Sequence, residues 1–305
     1  MLPGHLIFPD FFANARELRA AFDAHFADPA RHSPETHQIW NYWNVPELYT
    51  YLRTQPEKII PRTLCDEFFA SLQRLALERF GLTRVSWPYL SLYVAGCSQG
   101  IHNDARGGRL GFVYSLTNWE NRRFDGGETL IFREERYFGS PAITAAAAAT
   151  RFYNLVPAHF NQLLVFDDRL PHAVPRLEGT MVPQEGRVVL HGHFSEGPPV
   201  VAGALTQVQA QTVIDAELKS MRPRIAEASR GLAGLLTLKL LLSAEGKVAG
   251  IDMLFDRLLA IADDAVPPEV AIAAALEAVR AWRFPPSGGA STLLVAIPFE
   301  GPPAR

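Results

Sequence analysis

The chain has 305 residues, of which 48% are hydrophobic and 20% are charged, and its formal net charge is −3. This composition is typical of a soluble globular protein with one or two domains. There is no excess of positive charge that would favour nucleic acid, and no apolar run of about 18 residues that would span a membrane. Two cysteines do not make a secreted disulfide framework, and the first residues lack a signal-peptide pattern. We therefore expect a cytoplasmic protein that binds neither nucleic acid nor membranes.

The first ninety residues are predicted to form a helical support. Leu18, Phe22 and Phe26 recur at helical spacing, and residues 61–80 repeat the pattern before Gly81, a residue type that favours helix ends. Between these helices, residues 37–46 are aromatic without a clear period. They are predicted either to pack against a sheet or to form a lip beside a binding site.

A series of short strands is predicted from residue 89 onward. Apolar residues alternate or run together in short segments, and glycine and proline separate the segments. Closely spaced strands of this kind favour a double-sheet jelly roll. The alanine-rich residues 142–151 would then form part of a lid or a plain connecting helix. The predicted strands are residues 89–95, 112–116, 128–132, 163–166 and 187–194.

Three side chains in this region predict a metal site. His102 and Asp104 are two residues apart after a predicted strand, and alternate side chains of an extended chain share a face. His172 follows a later strand. Two imidazoles and one carboxylate occupy three positions of an octahedral iron(II) ion and leave three positions open. Taken singly, the His-x-Asp pattern occurs by chance and His172 could be an ordinary core or surface histidine.

Arg187 extends this pattern toward a cosubstrate. The open metal positions can bind a bidentate 2-oxo acid and O2, and a guanidinium is a forked, permanently charged partner for the distal carboxylate of such an acid. By itself Arg187 would be a solvated or ion-paired arginine. Its place after both histidines predicts a clamp for the cosubstrate.

The ordered set of motifs resembles the iron(II)/2-oxoglutarate-dependent oxygenases, in particular their prolyl-hydroxylase-like branch, over residues 5–197. The resemblance implies that His102, Asp104 and His172 are iron ligands, that Arg187 binds 2-oxoglutarate, and that Tyr93 hydrogen-bonds it. Val189 stands where many relatives carry a hydroxyl residue, and Gln99 where they carry a tyrosine. The motifs are the Tyr93-to-His102 spacing, residues 102–104, residues 124–129, residues 163–166 leading to His172, and residues 186–189.

This resemblance implies an Fe(II)- and 2-oxoglutarate-dependent dioxygenase, with ascorbate as a candidate reductant. It implies hydroxylation of a C–H bond in an amino-acid side chain, with a peptide as the first choice of substrate. A free amino acid or another small metabolite is the alternative. A non-catalytic, cupin-like metal-binding scaffold is the alternative outside enzymes.

Two further histidines are predicted to lie near this site. On a regular strand His191 and His193 share a face with Arg187 and Val189. They are predicted to line the pocket as neutral hydrogen-bonding groups, or in the rival scheme to form a metal pair of their own. Other residues that could compete as metal ligands are His159, Asp167 and Asp168, for which turn or cap roles are preferred.

The composition changes after residue 194, and residues 198–305 are predicted to form a separate small αβ module. Residues 278–286 and 295–299 resemble the C-terminal domain of the TonB energy-transducer family. The module is predicted to serve homodimerisation, peptide docking or support of the barrel. Its predicted elements are helices at 206–230 and 270–282, and strands at 235–242, 247–255 and 291–299.

Overall fold

An antiparallel sheet of twelve strands dominates the part of the chain that the structure describes. The structure is a computed structural model that describes residues 4–27, 40–46, 48–105, 108–133, 152–262 and 264–299. The alanine-rich residues 142–151 therefore lie outside the described residues. The strands of the sheet are β1 (His5–Phe8), β2 (Asn41–Val45), β3 (Tyr49–Thr54), β4 (Arg84–Val85), β5 (Tyr89–Tyr93), β6 (Ser98–His102), β7 (Leu110–Ser115), β9 (Thr129–Phe132), β10 (Tyr153–Val156), β11 (Leu163–Asp167), β12 (His172–Val174) and β14 (Arg187–Ser195), while β8 (Phe124–Asp125) pairs separately with β13 (Glu178–Gly179).

The strand order is β1-β11-β7-β14-β5-β3-β6-β12-β9-β10, with β2 beside β3 and β4 beside β14. Side chains from β7 and β14 and side chains from β6 and β12 line the same cavity. The sheet must therefore curl so that its two halves face each other, which is the predicted jelly-roll architecture. All five strands predicted from residue 89 to residue 194 are present, with ends that differ by a few residues.

The prediction of a helical support for the first ninety residues is correct in part. Helices α1 (Ala15–Ala27) and α2 (Arg62–Phe80) are present, and their periodic residues Leu18, Phe22 and Leu72 are fully buried. However, β1 pairs with β11, and β3 lies between β5 and β6 inside the sheet. The local apolar pattern of these strands is too short to identify them, because their place in the sheet comes from distant partners.

The residues after β14 form a second sheet with its own core. Strands β15 (Val200–Gly203), β16 (Leu232–Leu242), β17 (Val248–Ala260) and β18 (Ser291–Phe299) are antiparallel, in the order β15-β18-β16-β17. Helices α3 (Gln207–Arg224) and α4 (Pro268–Arg280) accompany them. Helix α3 begins at a capping box formed by Thr206 and Gln209. The prediction that this helix extends to residue 230 is correct in part: the α-helix ends at Arg224, and a short 3-10 helix follows at Glu227–Ser229.

The second sheet packs closely against the first. Leu235 and Phe255 are buried in the same apolar cluster as Phe80 and Phe194. The Thr237 hydroxyl donates a 2.5 Å hydrogen bond to the Phe80 carbonyl at the end of α2. The two sheets are thus joined by both apolar and polar contacts, whereas the division into units at residues 197 and 198 stays a prediction. No helix in the described ranges is long and apolar enough to cross a membrane.

Candidate metal centre and ligand pocket

His102 and His172 face each other across two neighbouring strands. They are direct partners in the antiparallel pairing of β6 with β12, and directly opposed residues bring their side chains together. Their ring centroids are 4.3 Å apart. The Asp104 carboxylate lies 3.5 Å from Nε2 of His172 and 3.9 Å from Nε2 of His102. The three residues predicted as metal ligands therefore form one cluster, and their ligand atoms lie within 4.8 Å of one another.

Both imidazoles are held in the orientation that a metal ligand requires. Nδ1 of His102 lies 2.8 Å from the Gly100 carbonyl, and Nδ1 of His172 lies 3.0 Å from the Leu170 carbonyl. Because a carbonyl only accepts, each Nδ1 carries a proton, and each Nε2 is the ring nitrogen directed toward the cluster, where it binds a metal once deprotonated. Backbone carbonyls fix metal-binding histidines in this way. The pair of Nε2 atoms and the Asp104 carboxylate converge on one point.

The charges of the cluster also suit a cation. Burial opposes ionisation of Asp104, but its hydrogen bond to His172 and the nearby imidazoles outweigh burial and lower its pKa to about 2. Burial, together with His172, lowers the pKa of His102. Metal ligands must be deprotonated, and these shifts keep Asp104 charged and His102 neutral near pH 7. The Gln99 amide, 3.1 Å from His102 Nε2, is the group that a metal ion would displace.

The cluster opens into a cavity of about 260 Å³ between the two halves of the sheet. Its walls combine aromatic rings, two arginines and four histidines. Asp104 is the only carboxylate among the described residues that line it. The lining residues are Trp43, Tyr49, Tyr51, Arg53, Ser86, Tyr89, Tyr93, Gln99, His102, Asp104, Gly111, Phe112, Val113, Thr129, Phe166, His172, Ala173, Val174, Arg187, Val189, His191, Gly192 and His193.

Arg187 is a buried cation on the wall of this cavity. It is 1% exposed, its guanidinium carbon lies 4.8 Å from the Tyr93 ring centroid, and it donates a 3.2 Å hydrogen bond to the Thr129 hydroxyl. Its Nε atom has no hydrogen-bond partner, and no described carboxylate lies within ion-pair distance of it. Burial lowers the pKa of Arg187. Since buried charges are normally paired, this guanidinium is suited to an anionic ligand.

Other predicted cosubstrate residues surround Arg187. Tyr93 is buried and stacks on Tyr51, with ring centroids 5.1 Å apart. Val189 is also buried and lines the cavity without a hydroxyl, so the hydroxyl beside Arg187 comes from Thr129 on a different strand. A role for Thr129 could have been inferred only from its position in the 124–129 motif. These residues form the deep wall of the cavity.

His191 and His193 line the cavity, as the strand periodicity predicts, but they do not form a metal pair among the described residues. His191 Nε2 is 2.8 Å from the Ser91 hydroxyl, and burial, with Arg53 and other nearby cations, lowers its pKa to about 3. His193 Nδ1 is 3.0 Å from the Asp168 carboxylate. Each imidazole is thus engaged by a different protein group.

Asp168 has a larger role in this region than the turn or cap role preferred from sequence. It is fully buried, and burial raises its pKa to about 6. With His193 and Asp104 it forms a second group whose ligand atoms lie close together. Because Asp168 already binds His193, this group positions side chains beside Asp104, and the cluster of His102, Asp104 and His172 remains the better candidate metal site.

The other two residues that could compete as metal ligands, His159 and Asp167, lie outside the cluster. His159 is partly exposed and pairs with Glu120, outside the residues that line the cavity. Asp167 accepts a hydrogen bond from the Arg169 backbone, as expected in a turn, but it also forms ion pairs with Arg169 and Arg257. The aromatic segment 37–46 combines both predicted roles, although residues 37–39 lie outside the described residues. Trp40 packs against the core beside Phe22 and Phe26, whereas residues 41–45 form the exposed strand β2, from which Trp43 lines the cavity.

Comparisons with known proteins give similar folds but no sequence family. No protein-family model and no curated protein sequence matches the chain. A prolyl-4-hydroxylase from Pseudomonas putida is 20% identical, with 64% of this chain and 94% of that chain covered and a TM-score of 0.44. EctD from S. alaskensis, solved with 2-oxoglutarate and 5-hydroxyectoine, is 14% identical over 64% and 72% of the chains, with a TM-score of 0.41. The alpha-ketoglutarate-dependent carbocyclase SnoK of nogalamycin biosynthesis is 14% identical over 62% and 78%, with a TM-score of 0.40.

These similarities cover 62–64% of this chain. Identities and TM-scores this low do not transfer an activity, because one fold carries many functions. The chemistry of this chain must follow from its own side chains. Those are the His102, Asp104 and His172 cluster and, in the same cavity, Arg187, which has no carboxylate partner among the described residues.

Proposed function

We propose that this protein is an Fe(II)- and 2-oxoglutarate-dependent dioxygenase that hydroxylates a C–H bond. The observation that carries the proposal is the presence, in one cavity, of a two-histidine, one-carboxylate cluster and a buried arginine with no described carboxylate partner. The cluster provides a ligand set that suits iron(II) with open positions. The arginine provides a site for a dicarboxylic cosubstrate.

The side chains have distinct roles in this scheme. His102, Asp104 and His172 hold the metal, and Arg187, supported by Thr129 and Tyr93, holds the distal carboxylate of 2-oxoglutarate. The bound iron supplies oxidative chemistry that protein side chains lack. The protein contributes orientation, and the aromatic walls of the cavity limit the access of water to the reacting groups.

The deciding experiment combines metal binding with cosubstrate turnover. The wild-type protein should bind Fe(II), or Mn(II) as a redox-stable substitute, and should release succinate from 2-oxoglutarate in the presence of Fe(II) and O2. Zn(II) should occupy the site without supporting succinate release. His172→Ala should weaken Mn(II) binding at least about 100-fold, because it removes one of three ligands from a preorganised site.

The matched control is His159→Ala. His159 is a histidine outside the cavity, paired with Glu120 at the surface. Its replacement should leave Mn(II) affinity and succinate release unchanged. Equal metal affinity in His172→Ala and the wild type would contradict the assignment of the metal centre. Metal binding without any 2-oxoglutarate binding would instead contradict the oxygenase and favour the metal-binding scaffold.

The substrate class needs a separate measurement. An amino-acid side chain within a peptide and a free amino acid or small metabolite are both compatible with a hydroxylase. Panels of short peptides and of free amino acids, analysed by mass spectrometry for the gain of one oxygen atom, separate these two. Ascorbate as a reductant and a homodimer through residues 198–305 stay predictions.

A further inference from the structure

A second arginine on the cavity wall is not used by the proposed metal and cosubstrate sites. Arg53 lies on β3, where Tyr49, Tyr51 and Arg53 share one face and all line the cavity. Its guanidinium carbon lies 3.8 Å from the Trp43 ring centroid and 4.1 Å from the Tyr89 ring centroid. Trp43 and Tyr89 are partly exposed, so this arginine is near the mouth of the cavity.

The aromatic contacts hold Arg53 in place without neutralising it. Stacking occupies the faces of a guanidinium and leaves its N–H edges to donate hydrogen bonds, of which the neutral Tyr51 hydroxyl accepts one. No described carboxylate lies within ion-pair distance of Arg53. By contrast, Arg62 also lies over a tryptophan ring, at 4.7 Å from Trp87, but it is paired with Asp66. Arg53 is therefore a preorganised cation whose charge has no described partner.

When the metal ion and 2-oxoglutarate are bound, the cavity keeps one positive charge that is not balanced. A divalent metal ion and the doubly charged 2-oxoglutarate cancel, and Asp104 offsets one of the two arginines in the cavity. No other described carboxylate lines the cavity. A buried or half-buried cation is stabilised by a partner of opposite sign, so the remaining ligand should present one carboxylate to this charge.

We propose that Arg53 binds a carboxylate of the substrate, so that the enzyme acts on a small carboxylic acid such as a free amino acid. This inference rests on the proposed function, because it assigns Arg187 to 2-oxoglutarate and leaves Arg53 for the substrate. An internal residue of a peptide has no α-carboxylate to place there. The inference thus selects the free-acid alternative over a peptide substrate.

The test compares acids with their uncharged counterparts. A panel of free L-amino acids and the corresponding carboxamides is titrated into the wild-type protein by calorimetry, with Mn(II) and 2-oxoglutarate at saturating concentrations. At least one acid should bind tenfold more tightly than its amide. Arg53→Gln should weaken the binding of that acid at least tenfold, remove the preference over the amide, and change 2-oxoglutarate affinity less than twofold.

Two further variants complete the design. Arg62→Gln removes an arginine that stacks on tryptophan outside the cavity, and it should leave both affinities unchanged. Arg53→Lys keeps the charge but not the fork, so it should retain the preference for the acid with weaker binding. This variant also decides the question if Arg53→Gln does not fold.

Several results would overturn the proposal. These are a panel in which no acid binds better than its amide, an Arg53→Gln protein that keeps the preference, and an Arg53→Lys protein that loses it. Failure of the proposed function has a different signature, the absence of 2-oxoglutarate binding in the wild type. Even then the comparison of wild type with Arg53→Gln reports on Arg53, because Arg187 is the same in both.

Discussion

At the scale of single residues, the cavity distinguishes two arginines by their depth. Arg187 is buried and contacts Tyr93 and Thr129, whereas Arg53 is partly exposed and contacts Trp43 and Tyr89. The deep guanidinium has lost most of its water, so an anionic ligand must compensate for the loss. The outer guanidinium keeps part of its hydration and can exchange ligands more readily. This difference suits a cosubstrate bound deep in the cavity and a substrate bound near its mouth.

Replacement of Arg187 should damage cosubstrate binding selectively. Breaking a buried charge pair costs about 3–5 kcal/mol, so Arg187→Ala should weaken 2-oxoglutarate binding about 100-fold or more. Mn(II) affinity should change little, because Arg187 does not belong to the ligand cluster. Calorimetric titration of both ligands measures the two effects separately.

An exposed arginine provides the control for this prediction. Arg176 pairs with Glu178 at the surface, and both side chains are more than half exposed. Arg176→Ala should therefore bind 2-oxoglutarate as the wild type does. An Arg187→Ala protein with wild-type affinity for 2-oxoglutarate would show that the cosubstrate lies elsewhere.

At the scale of elements, the junction after α2 depends on a glycine. Gly81 has a φ of +61°, and its N–H bonds to carbonyls of the last turn of the helix. A Cβ at this position would lie 2.8 Å from the Thr237 hydroxyl of β16, which itself bonds to the Phe80 carbonyl. The position therefore needs glycine for two reasons, its left-handed backbone and the close approach of the second sheet.

The energetic cost of the left-handed backbone and the cost of the overlap with Thr237 can be separated by comparison with a second glycine. Gly81→Ala should destabilise the protein by roughly 1–2 kcal/mol from the backbone alone, and by more because of the overlap with Thr237. Gly288 has a φ of +73°, and a Cβ added there would meet no other atom within 4 Å, so Gly288→Ala should show the backbone cost only. Urea unfolding gives both values. Equal losses of unfolding free energy in Gly81→Ala and Gly288→Ala would mean that the contact with Thr237 relaxes without cost.

At the scale of the whole molecule, a buried ion pair connects the two sheets near the chain segment that leads to the candidate metal centre. Arg257 on β17 pairs with Asp167 at 2.9 Å, and both side chains are almost fully buried. Arg169 also pairs with Asp167 and donates a hydrogen bond to the Ala233 carbonyl of β16. Residues 167–172 link β11 to the strand that begins with His172. The second sheet therefore supports the segment that presents His172, one of the proposed metal ligands.

Loss of this pair should lower the stability of the protein. Arg257→Met should cost about 3 kcal/mol at pH 7, near the lower end for a broken buried pair, because Arg169 still contacts Asp167. Arg230→Met is the control, since its pair with Asp264 is exposed and contributes about 1 kcal/mol or less. Urea unfolding measures both. A loss no greater than that of the control would mean that the buried pair adds little.

The effect should also depend on pH in a defined direction. Burial opposes ionisation of Asp167, but hydrogen bonds and charges from Arg169 and Arg257 outweigh it, and the pKa is lowered from 3.8. A carboxyl group whose pKa is lowered by folding stabilises the native state above its unfolded pKa, and that contribution is lost as the pH falls. The difference between Arg257→Met and the wild type should shrink below about pH 3.8.

The sequence by itself predicted the ligand chemistry that we propose for this protein. The His-x-Asp pattern, the later His172 and Arg187 identified a ligand set before any contact was known, because strand periodicity places alternate side chains on one face. It also predicted α1, α2 and five of the twelve strands of the curled sheet, since their apolar patterns are local. The sequence showed that Val189 lacks the hydroxyl found in many relatives. It did not show that the hydroxyl beside Arg187 would come from Thr129 on a different strand.

Only the tertiary structure decided which distant groups meet. The opposition of His102 and His172, the Asp168 and His193 pair, and the contact of Arg257 with Asp167 depend on strand pairings and packing between residues far apart in the chain. The same holds for Arg53, which has no distinctive sequence pattern and becomes significant only between Trp43 and Tyr89. Contacts of this kind follow from the register of the sheet, and a local pattern does not encode which strands will be neighbours.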